Sequence, residues 1–260
     1  MFSELDLLTG LPKLTALHCA LLPGMEALIA CRTLRDLTLQ VELESRDAAV
    51  DGAAALLREA GQLRHVGLVF NREASSVAIA AKLLRALGAS GQSSVHTLSI
   101  NFNNRDCSRL AFNVFGNYGH FLNYKVLLSV LPRLPVLREL SLDYVPDELV
   151  PNLSPTTAPA LRMLHSESWV PCCHEWLHSD TIRKIPHSIH VRLEGPFCSD
   201  CNWCYLDCHE DVKDFLEDER DRVSGTSICF YSHPNDQCSA PDLHTSNDDK
   251  LWWIRVPRSE

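Results

Sequence analysis

Residues 63–71 read Leu63-Arg64-His65-Val66-Gly67-Leu68-Val69-Phe70-Asn71, and residues 95–103 read Val95-His96-Thr97-Leu98-Ser99-Ile100-Asn101-Phe102-Asn103. Laid over one another, the two stretches agree in apolar residues at the first, fourth and sixth places and in Asn at the ninth. Shorter copies run Leu14, Leu17, Cys19; Leu34, Leu37, Leu39; Leu137, Leu140, Leu142; and Leu161, Leu164 with Ser166 in sixth place. The spacing fits a short strand that lines one face of a stacked-repeat protein, and the Asn suits the turn that follows, where its amide satisfies backbone groups left by the neighbouring coil. A chain built in this way works by presenting a broad surface.

The stretches between copies complete the unit. Copies start 29 residues apart from Leu34 to Leu63 and 32 apart from Leu63 to Val95. The first gap carries Val50, Ala53, Ala54, Leu57 and Ala60 on one helical face, with Gly61 placed to end the helix. The second repeats the arrangement with Val77, Ala80, Ala81, Leu84 and Leu87, and with Gly88 as the stop. Strand and helix therefore alternate, and each unit buries its apolar face against its neighbours. Only 20 residues separate Leu14 from Leu34, room for one helical turn around Met25 to Ala30. The 42 residues from Val95 to Leu137 must hold an insertion, at about 103–124, before a helix over 125–131 that Pro132 ends. After Leu161 the pattern fades, and Ile182 and Ile185 are the residues left to open a last unit.

Composition bounds the function. The 260 residues carry a formal charge of -9, of which -8 falls from Gly195 onward, where 14 acidic side chains meet 6 basic ones. An acidic tail on a near-neutral body argues against nucleic acid, which needs Lys and Arg facing phosphates. No apolar run approaches a membrane span, because the longest candidate is broken by His18, Pro23 and Glu26. No basic start and cleavage site of a signal peptide is present, so a cytoplasmic or nuclear chain is expected, its eleven cysteines reduced or metal-bound.

The variable repeat length, the stretches "LRDLTLQ" and "LRHVGLVFN", and the small residue or Cys upstream, as in "ACRTLRDL", resemble leucine-rich repeats. They are most similar to the irregular repeats of F-box proteins, the substrate receptors of cullin-type ubiquitin ligases. The resemblance covers about Leu11 to Leu164. It implies an α/β solenoid with parallel strands on a concave face and helices on a convex one. It also implies that the concave face binds another protein, the ligase substrate, and that a ligase adaptor is a second partner. Leu22, Pro23 and Glu26 match the opening residues of an F-box. Leu34 already begins a repeat, however, so the remaining F-box helices are not expected in this chain. A repeat scaffold or inhibitor without a ligase link fits the same pattern.

The tail offers one constellation with chemistry. Cys198, Cys201, Cys204 and Cys208 are spaced C-x2-C-x2-C-x3-C, the run by which bacterial-type ferredoxins hold an iron–sulfur cluster. His209 stands where that run has Pro, and there is no second copy. Zinc would need a second ligand pair such as His187 with His190, or His209 with Cys229. The plainer reading is free thiols with no cofactor, and a metal- or redox-responsive regulatory protein is the alternative. Residues 209–223 follow an amphipathic helical pattern suited to capping the open repeat end, and 224–260 read as loop or disorder. No nucleophile elbow, phosphate loop, H-E-x-x-H or dinucleotide fingerprint occurs, so the chain reads as a binding protein and not an enzyme.

The expected architecture is thus a solenoid over residues 1–194 and a Cys-rich acidic tail or cap over 195–260. Partner contacts are expected at the outward places of the strands: Asp36, Thr38, His65, Gly67, Thr97, Ser99, Glu139 and Ser141. The insertion adds Phe112, Phe115 and Tyr118, because exposed aromatic rings supply much of an interface's energy.

Overall fold

Each copy of the phrase becomes a strand. The computed structural model describes residues 11–42, 46–70, 74–89, 91, 93–101, 124–142, 149, 152–166, 189–194, 227–230 and 251–256. The described elements fall into two units, each taken by itself below.

In the first unit Ala16–Ala20 (β1), Asp36–Val41 (β2), His65–Phe70 (β3) and Thr97–Asn101 (β4) pair in sequence order, all parallel. The register matches the copies place for place. Leu17, Leu37, Val66 and Leu98 form one row, and Cys19, Leu39, Leu68 and Ile100 form the next. From Leu37 and Leu39 onward these residues are buried, whereas Leu17 and Cys19 on β1 are half-buried.

The hydrogen bonds explain why the apolar places are one, four and six. The N–H groups of Arg35 and Asp36 both donate to the Thr15 carbonyl, at 2.8 and 3.0 Å. Those of Arg64 and His65 converge on Arg35, and those of His96 and Thr97 on Arg64. Two successive donors on one acceptor suspend the two-residue alternation of a strand, as at a bulge. Places two and three therefore both stand outside the core, while from the copy at Leu34 onward places one and four are both buried. A tight turn leads into each copy: the N–H of Leu34 donates to the Cys31 carbonyl, Leu63 to Ala60, and Leu137 to Leu134.

Helical segments cover the apolar rows. A 3-10 helix at Met25–Ala30 fills the shortest gap, as its length requires. Asp47–Glu59 (α1) packs between that turn and Ala74–Ala89 (α2), which in turn contacts Tyr124–Val130 (α3). A second 3-10 helix, Leu131–Arg133, follows α3 and includes Pro132. The core is almost wholly aliphatic, with Met25, Leu28, Leu34, Leu56, Leu63, Leu83 and Phe70 fully buried.

Two glycines differ from their expected roles. Gly61 has no left-handed backbone; α1 closes at Ala60, whose N–H reaches the Leu56 carbonyl. Gly88 lies inside α2, where a Cβ would stand 3.0 Å from Val130 Cγ1, so its role is close approach of α3. The left-handed conformation falls instead at Gly91, with φ 61.

The second unit contains Glu139–Leu142 (β5), Met163–Ser166 (β6) and Ile189–Glu194 (β7), again parallel and in sequence order. Val191 and Leu193 align with Leu164 and Ser166, so the last copy of the pattern lies later than Ile182 and Ile185, which are outside the described residues. Within the stretch expected as loop or disorder, Ser227–Phe230 (β8) and Leu251–Val256 (β9) are strands: β9 pairs antiparallel with β7, and β8 with β9. The described elements make an α/β fold, with parallel strands in each unit. Among the described residues no helix is long and apolar enough to cross a membrane.

A candidate protein-binding face

The residues that alternate with the buried rows form rows of their own. In the first unit Ala16, Asp36, His65 and Thr97 stand side by side, and His18, Thr38, Gly67 and Ser99 follow in the next row. A third row holds Ala20, Gln40, Val69 and Asn101. Six of the expected contact residues therefore share one open face, brought from three strands to neighbouring positions about 4.8 Å apart.

The chemistry of that face is polar and small. Asp36 Oδ1 lies 3.7 Å from His65 Nε2, with both side chains about half exposed, a pair worth little in water. A Cβ at Gly67 would meet Thr38 Oγ1 at 2.8 Å, so the absent side chain lets Thr38 lie across β3. Thr97 and Ser99 are half-buried. No large apolar side chain interrupts the first two rows.

Glu139 and Ser141 belong to the second unit, on β5. Glu139 is half-buried beside Met163. Ser141 corrects the expectation of an outward contact: it is only 5% exposed, and its Oγ lies 3.3 Å from His165 Nδ1. The half-exposed His165 ring is what that position offers to solvent.

The structure adds a row that the sequence expectation passed over. Arg35, Arg64, His96 and Arg138 occupy the second place of their copies; the Arg35 N–H donates to the Thr15 carbonyl, and each later N–H to the carbonyl of the preceding member. Arg64 and Arg138 are exposed, Arg35 and His96 half-buried. Arg35 Nη1 donates to the carbonyls of Arg32 and Leu34, at 2.7 and 3.1 Å. Arg64 Nη1 reaches the Ser94 carbonyl at 3.4 Å and His96 Nε2 at 3.3 Å. His96 is held below the ordinary histidine range, first by its partial burial and then by the positive charges of Arg64 and Arg138 and the His65 ring. The signal was in the sequence: "LR" or "VH" opens the copies at Leu34, Leu63, Val95, Leu137 and Leu161.

On the helical side, Asp51, Ala54, Arg58, Lys82, Arg85, Ala86 and Ala89 line an open cleft between α1 and α2, with Lys82 Nζ 2.5 Å from Asp51. Cys19 and Cys31 are free thiols; burial pushes the Cys19 thiol up, and the buried Cys31 Sγ lies 3.9 Å from the Leu14 carbonyl. Phe112, Phe115 and Tyr118 lie outside the described residues, as do Cys198, Cys201, Cys204 and Cys208. Among the described residues no group of three or more His, Cys, Asp or Glu side chains is arranged to hold a metal ion.

Comparison with known proteins finds no family model that matches the chain and no curated protein similar to it at a significant level.

Proposed function

We propose that this chain is an irregular leucine-rich-repeat solenoid that binds another protein through the open face of its strands. The observation that carries this reading is the place-for-place register of β1 to β4. That register collects side chains from distant parts of the chain into continuous polar rows, free of the buried leucines that hold the fold. An array of short polar side chains with Arg at its border suits recognition of a protein surface. It contains no converging nucleophile, base and oxyanion donor such as a reaction would need.

Blocking the face tests the proposal. Thr38→Arg with Ser99→Arg places two long side chains in the middle row. A partner captured by the wild-type chain should be lost with this pair and retained with Arg85→Glu on the helical side. Equal recovery with both would contradict the assignment, provided that thermal melts show both variants folded.

The resemblance to F-box receptors narrows the task to selecting substrates for a cullin-type ubiquitin ligase. Capture with proteasome function blocked should then recover the ligase adaptor along with the partner. Recovery of the partner without the adaptor would remove the ligase role and leave the binding face.

A further inference from the structure

Beside the polar rows of the first unit, Arg35, Arg64, His96 and Arg138 form a basic border that the fold itself assembles. Their backbones are hydrogen-bonded one to the next, which sets them at successive strand spacings. Four members span roughly 14 Å, three spacings of about 4.8 Å. From the copy at Leu34 onward the place is filled by a basic side chain or His, although the copies come from widely separated parts of the chain; the first copy has Thr15 there.

Among the described residues no carboxylate pairs with Arg35, Arg64 or Arg138, and the neighbouring Asp36 already faces His65. Among the described residues the guanidinium contacts go to carbonyl oxygens and, at Arg64, to the His96 ring, which orient the groups without neutralising them. His96 accepts from Arg64, a contact that requires its neutral ring. The cationic border thus has room for one further positive charge once anions arrive.

We infer that this border docks an acidic segment of the protein partner, a run of about four or five Asp or Glu residues laid across the strands. An extended run of that length covers the same roughly 14 Å at about 3.4 Å per residue. Paired guanidinium and carboxylate groups recognise one another by geometry as well as by charge. The inference rests on the proposed binding role of this face and names the chemistry of its partner.

Arrival of carboxylates reverses the field at His96, so binding takes up a proton there and strengthens as the pH falls. The groups facing His96 are Arg64, Arg138 and His65.

The test uses the purified full chain and a fluorescent peptide of eight glutamates, with an eight-glutamine peptide and a single-stranded RNA octamer as alternatives. Anisotropy should show the glutamate probe binding and the glutamine probe not, with affinity falling as salt is raised. Reversing Arg35, Arg64 and Arg138 to Glu should weaken the glutamate probe by about tenfold or more. Their replacement by Gln, which keeps the stems, should weaken it in the same direction. Reversal of Arg58, Lys82 and Arg85 on the helical side should leave it unchanged. Between pH 7.5 and 5.8 the affinity should rise, and His96→Gln should remove most of that rise. Glutamate-probe binding that survives both border variants overturns the inference, as does tighter binding of the RNA. Failure here while Thr38→Arg with Ser99→Arg still abolishes partner capture would leave the binding face standing and remove only its acidic partner.

Discussion

Arg35, Arg64 and Arg138 each follow a buried leucine, and at Arg35 and Arg64 two successive backbone N–H groups share one carbonyl. A reading of the strands by strict alternation finds places three and five, and so reached Asp36, Thr38, His65, Gly67, Thr97 and Ser99. It misses place two, because alternation fails there. The buried places are simpler. Leu68 is fully buried on a central strand, and Leu68→Ala should destabilise the fold by about 2–5 kcal/mol in denaturant titration. Gly88→Leu forces a side chain against Val130 and should cost roughly 1–3 kcal/mol by overpacking, despite the better helix former. His96 carries a sign. Its folded form takes up a proton less readily than the free side chain, so the unfolded chain binds the proton first as pH falls below about 6.5. Stability should fall over that range, and His96→Gln should fall less than wild type in parallel melts at pH 7.5 and 5.5. Greater acid sensitivity in the variant would contradict the account.

At the scale of elements, β2, β3 and β4 with α1 and α2 were legible because periods of two and 3.6 alternate in adjoining stretches with the same residue choices. The glycine roles were not, since Gly88 is fixed by what α3 brings against it, and no local pattern records that. Strand β9 was hidden for a related reason. Leu251 to Val256 is rich in strand formers, but it sits among Ser, Asp and Asn, and its partner β7 lies far back in the sequence. Local composition spoke for loop while a distant pairing decided. Depth of burial ranks the strands of the first unit. Hydrogen exchange should be slowest in β2 and β3, whose inward residues are buried between neighbours, and faster in β1, whose Leu17 and Cys19 are half-buried. Equal protection in β1 and β3 would contradict that ranking.

At the scale of the molecule, aliphatic rows form the core of the first unit, and the rows between them are polar. The phrase that specifies the leucines says little about the partner, because the informative residues are those between them. The open face can be distinguished from the helical side directly. A photo-crosslinking amino acid placed at Ser99 on the open face, or at Arg85 on the helical side, should give different results in cells. The account predicts a discrete crosslinked partner band from position 99 and none from position 85. Crosslinks from position 85 with none from position 99 would contradict it.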